Sequence, residues 1–151
     1  MKLLRVFNRQ QTRKLNGRLL RSVALWVLRE PLALSDYELA IHLVDPAEMT
    51  RINESFLGHE GSTDVITFNN AEPGETGLRG ELFISVADAV EYARQFRTTW
   101  QDETARYVVH GFLHLLGYDD LAPDVRKIMK KRENELFEAA AARFDLDRLA
   151  L

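Results

Sequence analysis

His110 and His114 stand four residues apart in a stretch that reads as helix, so both imidazoles leave one face, a turn from each other, and can reach a common cation. Gly117 follows three residues later, and a glycine there can take the left-handed conformation that ends a helix and turns the chain back. Asp120 then arrives as a third ligand. The chain has no cysteine, which excludes disulfides, thiolate sites and cysteine nucleophiles together and leaves nitrogen and oxygen to hold any metal. Imidazole and carboxylate are ordinary zinc ligands, and three protein ligands leave the open position that distinguishes a catalytic zinc site from a structural one. The expectation is one divalent cation, zinc first, on His110, His114 and Asp120, with the two histidines as the catalytic residues. The competing reading is a pair of satisfied helix histidines with no metal.

The same spacing occurs in metzincin peptidases, whose pattern is H-E-x-x-H-x-x-G-x-x-H. Gly111 occupies the position of their general-base glutamate, so peptide hydrolysis lacks its usual proton acceptor. Asp120 replaces their third histidine and cancels one unit of metal charge, which predicts looser metal selectivity. A metallopeptidase is therefore a second reading, weakened by Gly111.

Several elements must position these residues. Leu3 to Phe7 is apolar enough for a strand, and from about Gln10 the spacing turns helical, with Leu15, Leu19, Val23, Trp26 and Val27 on one side until Pro31 closes it. Tyr37 to Leu43 alternates as a half-buried strand does, which makes His42 a strand-face residue. Asp45 and Pro46 read as the N-cap and first position of a short helix to about Phe56. A loop from Leu57 to Ser62 carries His59, which should be exposed. Thr63 to Phe68 reads as a strand, Asn69 to Gly80 as a loop, and Glu81 to Val86 as a further strand. Helices are predicted over about Ala87–Phe96, Gln101–Leu116 and Asp124–Ala142, with a frayed tail after Arg143 and with Trp26 and Trp100 in the core. This order implies an α/β (α+β) layer fold, a small mixed four-stranded sheet packed by about five or six helices, with the metal site at the end of a long helix in the C-terminal half.

At 151 residues and 46% hydrophobic content the chain supports one core, so residues 1–151 are expected to form a single domain. The longest apolar run, Leu19 to Leu28, contains Arg21 and falls far short of the roughly 20 residues of a membrane span. The expectation is a soluble, cytoplasmic protein with no membrane partner. The net charge is -3, yet residues 1–29 carry eight basic side chains and no acid. Arg13, Lys14, Arg18 and Arg21 thus form a candidate patch for an anionic partner. A transit peptide or a solvated helix face are the plainer readings, and the polar stretch from Asn8 to Lys14 argues against a secretory signal.

Residues His110 to Asp119 resemble the hallmark of the YbeY endoribonuclease family, H-G-x-L-H-L-x-G-Y-D-H, with Asp120 at the one differing position. Asn53 with Ser62 to Phe68 resembles that family's N-x-x-Y-R…P-T-[DN]-V-L-S-F stretch, Gly80 to Ser85 its L-G-D-I-x-I-S strand, and Met129 and Glu133 fit its last helix. The similarity runs from about Val44 to Leu136. It implies a metal-dependent, single-strand-directed endoribonuclease acting in ribosomal RNA maturation at the small-subunit RNA 3′ end and in ribosome quality control. Single-stranded and ribosomal RNA and ribosomal subunits would be its partners; the oligomeric state is open. The family's three metal-binding histidines map onto His110, His114 and Asp120. Its phosphate-engaging arginine falls at Leu57, which cannot serve, so Arg13, Lys14, Arg18, Arg21 and Arg79 become the RNA-binding candidates. Ser62, Ile66, Thr67 and Glu81 are milder departures. Asp119 is a candidate to orient a ligand histidine, or else a turn residue, and Asp64 a candidate to face the cleft. A third reading, made credible by Leu57 and Asp120, is a non-catalytic metal-binding ribosome-assembly factor.

Overall fold

A computed structural model describes residues 1–151. Strands β1 (Lys2–Asn8), β2 (Tyr37–Val44), β3 (Val65–Asn69) and β4 (Leu78–Ser85) alternate with helices α1 (Gly17–Arg29), α2 (Pro46–Leu57), α3 (Val86–Phe96), α4 (Trp100–Leu115) and α5 (Pro123–Arg143). The sheet order is β1-β2-β4-β3, with β1, β2 and β4 parallel and β3 antiparallel to β4. The fold is thus the mixed four-stranded α/β arrangement that the sequence implies, with five helices.

Period-two alternation decides which face of the sheet is buried. Leu39, Ile41 and Leu43 of β2 and Leu82 and Ile84 of β4 are fully or almost fully buried and join one core with residues of α1, α3, α4 and α5. The opposite face is covered by α2 at one end only, through a small cluster of Val44, Met49, Ile52 and Ile66. Elsewhere on that face His42 is stacked between Phe7 and Phe83, with ring centroids 5.1 and 4.4 Å away. Trp26 and Trp100 pack against the main core while partly buried.

Helix α4 lies closely on β4. A Cβ at Gly80 would stand 2.6 Å from the Phe68 carbonyl oxygen and 2.9 Å from Leu115, and one at Gly111 would stand 2.5 Å from Leu82. These two missing side chains let Leu115 of the helix seat on Gly80 and Leu82 of the sheet seat on Gly111. Thr99 caps the start of α4 by accepting from Asp102 N at 3.1 Å. The end is a Schellman turn: Gly117 has φ 101°, its N–H donates to His114 O, and Tyr118 N donates to Leu113 O.

Three boundaries differ from the sequence reading, each because a long-range contact replaces a local pattern. Helix α1 begins at Gly17, not Gln10. The Gln10 side chain binds both Arg13 N and Arg13 O, Leu15 bridges to Ala150, and Asn16 caps the helix through Leu19 N. Strand β4 starts at Leu78 inside the expected loop, since parallel pairing with β2 extends to Tyr37. The tail is ordered: Leu146 and Leu149 are buried in a short 3-10 turn, and Asn16 N donates to Leu149 O. Asp45 does occupy the N-cap position of α2, but its carboxylate accepts from Gln11 N rather than capping. No helix is long and apolar enough to cross a membrane.

Gly80→Ala should destabilise the protein by about 1–3 kcal/mol, because the clash is with backbone and a packed leucine. Urea unfolding should show a lower midpoint with unchanged slope.

Candidate metal centre

Helix α4 and the turn after it bring His110, His114 and Asp120 together. The two Nε2 atoms are 3.0 Å apart, and Asp120 Oδ2 lies 3.5 Å from that of His114 and 3.8 Å from that of His110. Ligands of a tetrahedral zinc with bonds of ~2.0–2.1 Å stand about 3.3–3.4 Å from each other, so this triangle has the size of one face of such a site.

Proton positions sharpen the fit. His110 Nδ1 is 2.8 Å from Glu133 Oε1, and His114 Nδ1 is 3.2 Å from the Tyr118 carbonyl oxygen. Neither oxygen has a proton to give, so each Nδ1 donates, and the neutral form of each ring keeps its lone pair on Nε2. Two lone pairs and a carboxylate oxygen then face one point. Such a set repels itself unless a cation occupies the point between its members, and imidazole nitrogen with carboxylate oxygen is a donor set that takes a divalent metal.

Glu133 can act as this acceptor because it is ionised. Burial pushes its carboxyl up, but hydrogen bonds from His110 and Lys130 outweigh that and hold it at about 2. Arg106 Nη1 adds a contact at 3.1 Å to Oε2. With a folded-state value below the ordinary 4.5, the stabilisation it contributes is present above about pH 4.5 and fades as pH falls toward 2. The carboxylate is therefore fully charged at neutral pH.

Gly111 faces the sheet at its closest approach to Leu82, so a glutamate there would have to displace the core before it could serve as a base. Beside His110 a groove of about 370 Å³ runs between α3, α4 and α5; its lining includes Asp64, Arg106, Tyr107, Lys130 and Asn134. Asp64 lines this groove, its Oδ1 accepting from Val65 N at 2.8 Å. Asp119 does not touch a histidine; its carboxylate accepts from Leu121 N within the turn, and the orienting role expected of it falls to Glu133 and the Tyr118 carbonyl.

The basic candidates lie elsewhere. Arg13, Lys14, Arg18 and Arg21 are exposed around the start of α1, at the β1 edge, where Arg21 Nε donates to Leu4 O. Helix α4 packs on β3 and β4 at the other edge of the sheet. Arg13 and Lys14 precede α1, so no single helical stripe carries all four. Arg79 projects from the face of β4 opposite Gly80 and is held by Asp36 at 2.8 Å and by Glu75 at 3.5 Å. None of the five lines the groove. The cations next to the site are Arg126, whose Nε donates to Asp120 O at 3.1 Å, and Arg106 and Lys130, which both donate to Glu133. Arg126 and Lys130 escaped the sequence reading because only the tertiary approach of α5 to α4 brings them to the site. His59 is exposed in its loop.

A mixed α/β sheet crossed by one helix, with two histidines and an aspartate converging where that helix ends, defines a small protein with a candidate metal centre beside a groove. Comparison with known proteins adds the family. The sequence model of Endoribonuclease YbeY matches residues 5–141. The Endoribonuclease YbeY of Salinibacter ruber is 37% identical over 109 residues, 67% of this chain and 69% of that protein. That of Halalkalibacterium halodurans is 34% identical over 121 residues, 73% and 76% of the two chains. The Chlorobaculum parvum relative is 44% identical over 84 residues, 56% of this chain and 58% of that protein. A solution structure from Thermotoga maritima superposes with a TM-score of 0.62 at 26% identity and covers 93% of each chain. The chain belongs to the YbeY endoribonuclease family.

Glu133→Gln, which keeps the shape but removes the charge facing His110, should weaken zinc affinity about 10–100-fold. Competition against a chromophoric chelator at neutral pH measures it.

Proposed function

We propose that this chain cleaves single-stranded RNA in ribosomal RNA maturation, at the small-subunit RNA 3′ end, and in ribosome quality control, using one divalent cation, zinc first, held by His110, His114 and Asp120. The cytoplasm, where ribosomal subunits are built, is its setting. The single observation that carries the metal assignment is the convergence of two Nε2 lone pairs and a carboxylate oxygen, with both Nδ1 protons committed elsewhere. Family membership carries the substrate class.

A divalent cation at this point would supply Lewis-acid stabilisation of the charge that develops on phosphoryl oxygens. The protein's own residues supply the rest. Glu133 and the Tyr118 carbonyl fix the ring planes of the two histidines, so no reorganisation is needed on binding. Lys130 and Arg126 give an RNA phosphate a positive flank from α5, the side from which Glu133 reaches His110. They answer the departure at Leu57, which ends α2 with its aliphatic side chain 42% exposed. Arg13, Lys14, Arg18, Arg21 and Arg79 lie away from the groove, which favours α5 over them for the phosphate contacts. The metallopeptidase reading is disfavoured by the closed space at Gly111.

His114→Ala should abolish metal-dependent cutting of single-stranded ribosomal RNA, and wild type should leave a denatured protein uncut. Protein cutting instead would indicate the peptidase, and zinc binding with neither activity an assembly factor. Charge reversal at Arg126 and Lys130 should weaken RNA binding and flatten its salt dependence by about one to two units of slope, while reversal at Arg18 and Arg21 should change neither. Binding titrations across a salt series give both slopes; the opposite result would return the phosphate track to the β1 edge.

A further inference from the structure

The groove beside His110 has an unusual rim. Tyr92 and Phe96 stand one turn apart on α3, stacked with ring centroids 4.4 Å apart at 26°, and they are 43% and 58% exposed. Their neighbours Glu91, Arg94 and Gln95 bind one another as an ordinary solvated face does. Two large rings left to water at the mouth of a groove retain apolar surface that neither the core nor a neighbouring element uses.

The chemistry around the rings is graded across the groove. Asp64 and Glu103 face it near α3, but both carboxylates are committed, to Val65 N at 2.8 Å and to Thr98 Oγ1 at 2.9 Å. On the α5 side Lys130 lines the groove and also borders a second hollow with Arg126 and Lys127. A ligand that matches this grading has a flat apolar face at one end and anionic links at the other, with the candidate metal ligand His110 between them. One nucleotide of a single strand meets that description: its base is planar and its phosphates are charged.

We propose that Tyr92 and Phe96 form a stacking subsite for one nucleobase of single-stranded RNA, adjacent to the phosphate held at the His110–His114–Asp120 centre. The proposal rests on the RNA-cleaving reading above and extends it to a cause of strand selectivity. A base inside a duplex already has both faces covered by its neighbours, so it must leave the stack to reach the rings. A single-stranded base pays no such cost. Because every base has a π-face, the subsite favours unpaired RNA without imposing a strong sequence preference.

Steady-state cleavage of a short single-stranded RNA by the metal-loaded protein tests this, with one abasic nucleotide moved along the substrate position by position. Tyr92→Ala combined with Phe96→Ala should raise KM about tenfold and leave kcat within about twofold, the scale of one lost base–aromatic stack. Phe96→Trp, which keeps a ring at the rim, should retain the wild-type KM. One abasic position should raise the KM of wild type by a similar factor and add nothing in the double alanine variant, since both changes remove the same contact. An unchanged KM in that variant, or effects that multiply, overturns the subsite while leaving the cleavage reading intact. Failure of wild type to cut RNA at all overturns both.

Discussion

The constraint on which the centre depends is where two protons sit. His110 gives its Nδ1 proton to Glu133 and His114 gives its own to the Tyr118 carbonyl, so both remaining lone pairs point at one place already faced by Asp120. Like-signed groups held 3.0–3.8 Å apart would separate if the chain let them. Three pieces of structure prevent it. Helix α4 is seated on the sheet through Gly80 and Gly111, α5 delivers the buried Glu133, and the Schellman turn at Gly117 returns both the Tyr118 carbonyl and Asp120 to the helix face they left. The fold holds a cation-shaped deficit, and a cation that fills it stabilises the folded chain by linkage.

Seating α4 this closely also limits the chemistry. The contact that needs a glycine at 111 removes the place where a peptidase keeps its base, so proton transfer has no dedicated carboxylate one residue after the first histidine. Cleavage of RNA tolerates this better than cleavage of a peptide, since the substrate carries its own 2′-hydroxyl. On the proposed reading the charges that such a substrate needs would come from α5, the helix that also orients His110, so ligand geometry and phosphate attraction would share one support.

Local pattern made the ligands and most elements readable. His110, His114, Gly117 and Asp120 lie within eleven residues, where helical period and turn chemistry decide which side chains meet. Long-range pairing hid the rest. Glu133, 23 residues beyond His110, was visible only as a match to the family's last helix, and its bond to Nδ1 requires the packing of α5. The basic stripe looked continuous because Leu15 and Leu19 keep helical spacing, yet Gln10 ties the preceding loop down and splits Arg13 and Lys14 from Arg18 and Arg21. The tail after Arg143 was expected to fray as chain ends do, while the Leu149 carbonyl pins the start of α1 by accepting from Asn16 N. Tyr92 and Phe96 fall within the helix predicted over about Ala87–Phe96, and only the tertiary structure shows both rings exposed beside one groove.

Both histidines are held as Nδ1–H tautomers with Nε2 turned to one point, where a single cation would sit. Nitrogen-15 NMR of histidine-labelled protein, recorded before and after one equivalent of zinc, tests it directly. Nδ1 should be protonated in both rings, and the Nε2 resonances of both should shift together and saturate at one zinc per chain. An Nε2–H tautomer in either ring of the metal-free protein, or a histidine whose Nε2 ignores the metal, would contradict it.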